Sequence, residues 1–290
     1  VKNKEVVPVK VEDLKEDDFI VAPLKLPILN SKIKELNLLN EFIKISKEND
    51  DIYLRGFNDK NIFLKAKQRY GAQKLKHWTR HKTIPLCALK ELNINTKDIN
   101  LDELKIGVYS SQNELPLKIN IDNNFSKLLG YYAAEGTTTT AGRVMFSFGY
   151  HENNYINEVK NTIKDVFGIN CQEYKEHNSA IQIVATSKLL SVLFKDILKA
   201  GSNAHNKRIP NIIYSLPMEN KLSFLQAYIN GDDWPLIRED ERMIRPQVCI
   251  STSSVNSDLS YDVIALLSQL GYHGNYQEVL IKGHEIKKIE

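Results

Sequence analysis

Two carboxylates in this sequence stand at matched positions after pairs of small residues. In each case the small residues are four apart and the carboxylate follows directly: Gly130 and Ala134 before Glu135, and Ala227 and Gly231 before Asp232. Residues four apart share one face of a helix, and small side chains there let two helix backbones approach closely. Two helices packed on these faces would bring Glu135 and Asp232 together at one end.

Neighbouring carboxylates repel each other, so this arrangement predicts a bound cation or a shared proton. Oxygen ligands suit hard divalent cations, and we expect Mg²⁺, with Mn²⁺ as a substitute. A metal facing a polyanion can activate water and stabilise a leaving oxygen, which is the chemistry of phosphodiester hydrolysis. A carboxylate at a helix C-terminus also opposes the helix dipole. Because two helices make this same unfavourable choice, the pattern favours a site over an ordinary helix end.

The elements that must position these acids repeat along the chain. In the first half we expect a helix over 125–136, a strand over 143–148, a helix over 155–167, strands over 170–174 and 180–185, and a helix over 188–198. In the second half we expect a helix over 224–233, a strand over 247–251, a helix over 259–270 and a strand over 276–281. The sequence therefore predicts two pseudo-symmetric halves that share one interface.

The acid-bearing segments, LLGYYAAEG at 128–136 and LQAYINGDD at 225–233, resemble the two copies of the LAGLIDADG motif. From about residue 117 onward, the chain is similar to a monomeric two-motif LAGLIDADG homing endonuclease of the kind found in inteins. The resemblance implies an α+β fold in which two αββαββα units, at 117–210 and 211–290, form a DNA-binding saddle. It also implies that Glu135 and Asp232 are the catalytic, metal-binding acids of an enzyme that makes double-strand breaks at a long, asymmetric DNA site.

The segment NKRIP at 206–210 is similar to the KxIP segment of that family, whose lysine is implied to assist catalysis. This lysine is Lys207 here, and the alternative is an ordinary surface lysine before a turn. The second motif ends in Asp233 where the family usually has glycine, which leaves open whether Asp232 or Asp233 faces the metal; the register favours Asp232. No clear counterpart of Lys207 follows in the second unit, so equal cutting of both strands stays open.

A basic block precedes the two units. Between Arg55 and Lys90 there are ten basic residues and one acidic residue, a charge pattern typical of proteins that bind a polyanion. We expect a basic helical DNA-binding module over 31–116, with a break near Gly71 and a helix end before Pro85. Residues 1–30, with two short strands around a polar turn, resemble part of an intein splicing (Hint) domain that lacks the splicing residues.

The residues expected to contact DNA come from this module and from the two units: Lys74, Lys76, Arg80, Lys82, Arg143, Gln182, Arg208 and Gln247. Basic side chains in a helix can reach phosphates and guanine edges. Phosphate contacts would set the affinity, and base contacts from the strands would set the specificity.

Composition excludes several other classes of protein. The 290 residues are 42% hydrophobic and 26% charged, which suits about two globular domains. Three scattered cysteines exclude a disulfide scaffold and a CxxC metal knuckle, and no apolar run is long enough to span a membrane. We expect a cytoplasmic, intracellular monomer that joins the nucleoid when bound to DNA. The alternative is a cleavage-inactive DNA-binding regulator or an RNA maturase, against which the intact acid pair argues.

Overall fold

A computed structural model describes residues 7–15, 18, 26, 33–48, 51–101, 103–109, 111–175, 180–232, 236–238, 247–251, 256–272, 274, 276–281 and 284–289. The helices are α1 (Leu38–Ile45), α2 (Lys60–His81), α3 (Leu86–Glu91), α4 (Asn123–Glu135), α5 (Asn153–Phe167), α6 (Lys188–Val192), α7 (Asn211–Ser215), α8 (Met218–Asp232) and α9 (Ser257–Leu270). The strands are β1 (Glu35–Asn37), β2 (Ile52–Arg55), β3 (Thr83–Pro85), β4 (Lys105–Val108), β5 (Glu114–Pro116), β6 (Lys118–Asn120), β7 (Gly136–Thr138), β8 (Arg143–Gly149), β9 (Gln172–Lys175), β10 (Ala180–Thr186), β11 (Leu236–Arg238), β12 (Gln247–Ser251), β13 (Tyr276–Ile281) and β14 (His284–Ile289).

The expected mixture of helices and antiparallel sheets is confirmed. One four-stranded sheet has the order β7-β8-β10-β9, and another has the order β11-β12-β14-β13, so the same strand order occurs twice. In the first half the elements follow as α4, β7, β8, α5, β9, β10 and α6, and in the second half as α8, β11, β12, α9, β13 and β14. The short strands β7 and β11 and the last strand, β14, were not among the predicted elements.

Alternating side chains explain how the first of these sheets packs. Along β8, Val144, Phe146 and Phe148 are buried, and the residues between them are more exposed. Because successive side chains of a strand point to opposite faces, one face of the sheet covers the core and the other meets solvent. Helix α5 turns a matching apolar stripe inward, and its buried members include Ile156 and Ile163.

The module before the two units is not wholly helical, and that prediction is wrong. It contains a four-stranded antiparallel sheet of order β3-β2-β4-β5, beside α1, α2 and α3. Its strands have three or four residues each, too few for a period of two to stand out in the sequence. Their pairing is decided by partners far along the chain: Leu54 lies opposite Ile84 on one side and Ile106 on the other.

A two-stranded sheet joins this module to the first unit. Strand β1 pairs with β6, so that Leu36 lies opposite Ile119, and the backbone N–H of Leu39 donates to the carbonyl of Leu117 at 3.1 Å. Residues from both sides of position 117 belong to one continuous apolar core. The module is therefore packed firmly against the first unit.

The break predicted in the basic helix is confirmed. Helix α2 begins at an N-cap, Asp59, whose carboxylate accepts from the backbone N–H groups of Asn61 and Ile62. Its course is interrupted at Gly71, where φ is 81° and ψ is 165°. It ends at a left-handed C-cap, Lys82, before the strand that contains Pro85.

The first strand expected in residues 1–30 is wrong. Val11–Asp13 forms a short 3₁₀ turn instead, and Val11 is 85% exposed. Alternating valines predict a strand only where a sheet covers one of their faces, and no sheet covers them in the described part of this segment. The second expected strand, at 19–23, lies outside the described residues.

Within the described ranges, no helix combines the length and the apolar character needed to cross a bilayer.

Candidate functional site

Helices α4 and α8 cross with their backbones in close contact. A Cβ atom added at Gly130 would lie 2.2 Å from the carbonyl oxygen of Phe224 and 2.9 Å from Cβ of Ala227. Contacts this short leave no room for a side chain at Gly130. The face of α4 that carries Gly130 therefore packs on the face of α8 that carries Ala227, as the spacing of small residues predicts.

The second pair of small residues meets one turn further along. A Cβ atom added at Gly231 would lie 2.7 Å from Cβ of Ala134 and 3.4 Å from Cγ of Glu135. Glu135 is the last residue of α4 and is half-buried, and Asp232, next to Gly231, is the last residue of α8. The two helices thus end side by side, and each ends in an acidic residue. Asp232 is described by its backbone, and Asp233 lies outside the described residues.

Two buried tyrosines fix the end of α4. The hydroxyl of Tyr131 donates to the carboxylate of Glu158 on α5 at 2.7 Å, and the hydroxyl of Tyr132 donates to the carbonyl of Gly201 at 2.7 Å. Burial raises the pKa of Tyr132 to about 12, so this hydroxyl keeps its proton and remains a donor at neutral pH. Because Gly201 lies six residues before Lys207, Tyr132 ties the loop that leads to Lys207 to the acid-bearing helix.

Lys207 lies at the acidic end of α4. Its side chain is buried, with 5% exposure, and its Nζ donates to the carbonyl of Ala134, the residue before Glu135. An ammonium group at a helix C-terminus is favoured by the helix dipole. The fold thus brings together two helix ends that each finish in an acidic residue, and one lysine at the end of α4.

Arg208, predicted to contact DNA, makes a bidentate ion pair within the protein. Its Nε lies 2.6 Å and its Nη2 lies 2.8 Å from the two carboxylate oxygens of Asp262 on α9. These hydrogen bonds raise the pKa of Arg208 further above its usual value. Its side chain is 48% exposed, so its role in DNA contact stays a prediction. Sequence reasoning missed Asp262, because the two partners are 54 residues apart.

Arg143 and Gln182 lie on one face of the first sheet. Thr186 lies opposite Arg143, and Gln182 lies opposite Ser147 in the register of β10 and β8, and paired residues of antiparallel strands share a face. This is the face away from the core. Tyr174, which lies opposite Gln182 on β9 and is 50% exposed, belongs to the same face and was not predicted.

Gln247 begins β12 and lies opposite Arg238 in the second sheet. Its position in β12 matches that of Arg143 in β8, since each is the first residue of the second strand in sheets of the same order. The structure describes the backbone at Gln247.

The four basic residues predicted in α2 and at its C-cap, Lys74, Lys76, Arg80 and Lys82, are exposed. Lys76 and Arg80 are four apart and flank the buried Trp78, so they lie on the helix face opposite to it. Lys74, one turn before Trp78, lies beside Tyr70, with Nζ 6.0 Å from the ring centroid. The four cations thus lie along the second half of α2 and at its C-cap.

No protein-family model matches the sequence. The chain is 29% identical over 289 residues to part of the DNA polymerase II large subunit of Thermococcus kodakarensis, a match that covers 95% of this chain and 15% of that protein. It is 31% identical over 195 residues to part of transcription initiation factor IIB of Methanocaldococcus jannaschii, covering 66% of this chain and 25% of that protein. The structure of I-DmoI in complex with DNA and Mn is 14% identical, has a TM-score of 0.40, and covers 59% of this chain and 91% of that one. The chain spans less than a third of the length of these curated relatives.

Proposed function

We propose that this chain is a site-specific homing endonuclease that makes metal-dependent double-strand breaks in a long, asymmetric DNA target. The observation that carries this proposal is the close crossing of α4 and α8, because Cγ of Glu135 lies 3.4 Å from the Cβ position of Gly231. Asp232 follows Gly231 directly. Two acidic residues at adjoining helix ends, with Lys207 beside one of them, form a donor set suited to a hard cation and a phosphodiester.

Glu135 and Asp232 would hold Mg²⁺, or Mn²⁺ in its place. The chemistry that such a cation supplies is activation of water and stabilisation of the leaving oxygen. The residues themselves have further roles. The ends of α4 and α8 that carry them cannot separate without losing the contact at Gly130, and the Lys207 ammonium would add positive charge where a scissile phosphate would lie.

DNA would lie across the outer faces of the two sheets, which together would form a saddle. Arg143 and Gln182 of the first sheet and Gln247 of the second would read base edges. The cations around α2 would contact phosphates and add sequence-independent affinity. The protein would act as a monomer, since both acids come from one chain.

The matched relatives support the homing part of the proposal. One is named a DNA polymerase subunit and another a transcription initiation factor, and this chain corresponds to 15% and 25% of them. A segment that recurs as a minor part of proteins with different names is expected of an inserted element. A homing endonuclease carried within host genes would have this distribution.

The test is to incubate the protein with genomic or library DNA and Mg²⁺ and to sequence the broken ends. We expect paired breaks at one long sequence, and no breaks when the divalent cation is chelated. Binding to DNA without any cutting in Mg²⁺ or Mn²⁺ would contradict the proposal and favour a regulator.

Glu135→Gln and Asp232→Asn should each lower the cleavage rate by roughly 10³-fold, because each weakens the hold on the cation whose positive charge would stabilise the transition state. The affinity for the target, measured by fluorescence anisotropy, should change little. Glu219→Gln is the matched control, since Glu219 is an exposed carboxylate in the first turn of α8. Parental cutting by either acid variant would show that the site is elsewhere.

A further inference from the structure

The main chain around Lys207 is held by close contacts on both sides. Before it, the loop passes so close to Gly201 that a Cβ atom there would lie 2.7 Å from Cα of Lys207. After it, the N–H of Arg208 donates to the carbonyl of Ala200 at 3.1 Å. The lysine thus projects from a segment that is folded tightly onto the end of the first unit.

Helix α9 of the second half holds this segment from the other side. The side-chain amide of Asn256, the N-cap of α9, donates to the carbonyl of Lys207 at 2.8 Å, and its oxygen accepts from the N–H of Leu259 at 3.2 Å. Asn256 is 3% exposed. One buried amide therefore caps α9 and orients the peptide group that follows Lys207.

Asp262, two turns along α9, holds the next two residues. Its carboxylate accepts from the N–H of Ile209 at 3.1 Å and from Nε and Nη2 of Arg208. The carbonyl of Asp262 also accepts from the hydroxyl of Tyr214 at 3.0 Å. Bidentate, charge-assisted hydrogen bonds of this kind fix direction as well as distance.

We propose that Asn256 and Asp262 are positioning residues that hold the Lys207 ammonium at the acidic end of α4. The proposal rests on the proposed nuclease function. It assigns Arg208 a second role, in which its guanidinium anchors the lysine segment to α9. A residue of the first half's site is then placed by a helix of the second half, which makes the site depend on the docking of both halves.

The principal test is Asn256→Asp. The carboxylate still accepts from the N–H of Leu259 and suits a helix N-terminus, so the cap survives. It loses the donor to Lys207 and brings a negative charge to the carbonyl of that residue. We expect the single-turnover cleavage rate of prebound target DNA in Mg²⁺ to fall by about 10²-fold, as when one preorganised charge is displaced, with DNA affinity unchanged.

Asp262→Asn should have the same effect, because it weakens the hold on Arg208 and Ile209. Two controls match the changes. Asn37→Asp alters another N-cap asparagine, whose side chain accepts from Asn40, and Asp258→Asn removes a 67% exposed carboxylate 3.5 Å from Arg208. Both controls should cut at the parental rate. A variant of Asn256 that folds and cuts at the parental rate would overturn the proposal.

A measurement without cleavage separates this proposal from the nuclease function. In the folded parental protein, acetylation of the Lys207 amine, followed by mass spectrometry, should be slow compared with the exposed Lys97. In Asn256→Asp and Asp262→Asn it should accelerate on the order of tenfold through local opening, without faster labelling at Lys97. Unchanged protection of Lys207 would overturn the proposal even if the parental protein cuts DNA. If the parental protein cuts no DNA, the nuclease function is wrong. The labelling experiment still tests whether Asn256 and Asp262 hold Lys207 in place.

Discussion

Gly130, in the crossing of α4 and α8, and Gly71, in the middle of α2, meet different surroundings. A Cβ atom at Gly130 would lie 2.2 Å from the carbonyl oxygen of Phe224, so the absent side chain is what lets the two backbones meet. At Gly71 no heavy atom lies within 4 Å of such an atom. There the backbone, with φ at 81°, adopts a conformation that is easy for glycine alone.

The two glycines reflect two separate tasks in the molecule. At the crossing, the close contact of two helices fixes the separation of Glu135 and Asp232, and metal-assisted chemistry depends on such fixed geometry. In α2 the glycine turns the helix, and the cations beyond it stay in solvent. Affinity for a polyanion needs exposed charge rather than a fixed distance. One region therefore serves the proposed chemistry, and the other serves the proposed binding.

Gly130→Ala should give the largest effect on stability. The added methyl group meets backbone rather than a movable side chain, so the helices must separate, which we expect to cost about 3 kcal/mol in the free energy of unfolding. Chemical denaturation followed by circular dichroism measures this loss. A smaller loss of unfolding free energy than that caused by Gly71→Ala would mean that the helices do not cross at Gly130.

Replacing the cations of α2 tests the region assigned to binding. Lys76→Gln with Arg80→Gln should weaken DNA binding by on the order of tenfold or more at low salt, and should reduce the slope of log K against log salt by about 1.8, since each phosphate contact contributes ~0.9. Stability should not change, because both residues are exposed. Anisotropy titrations across a salt series provide the slope.

The matched control is Lys97→Gln with Lys164→Gln, which removes the same charge from exposed positions outside α2. Its salt slope should equal that of the parental protein. If the control lowers the slope as much as the α2 variant, the binding is a property of net charge and not of this helix.

Gly71→Ala should give the smallest effect, about 1 kcal/mol, because the cost lies in backbone strain alone. The measurement is again chemical denaturation, with Gly130→Ala measured in parallel. DNA affinity at fixed salt should change little, since the bend is kept and the cations beyond it stay exposed. A loss of stability as large as that of Gly130→Ala would show that Gly71 is packed and not merely bent.

Local patterns in the sequence were enough for much of this structure. The small residues four apart predicted the crossing of α4 and α8, because helix periodicity is read within one segment. The break at Gly71 and the strand over 143–148 were also predicted from signals that lie within one short segment. The prediction of a wholly helical module before the units was wrong, because Ile52–Arg55 is too short for its sequence pattern to indicate a strand. The pairing of this strand depends on Ile84 and Ile106, which lie far along the chain.

The residues that could carry the chemistry were identifiable from the sequence alone, because Glu135, Asp232 and Lys207 each stand in a short local sequence pattern. The groups that hold them became visible only in the folded protein. Asn256 and Asp262 reach the Lys207 segment from 49 to 54 residues away, and no short window of sequence contains both partners. Periodicity fixes the shape of one element, whereas contacts between elements are selected by the packing of the whole chain.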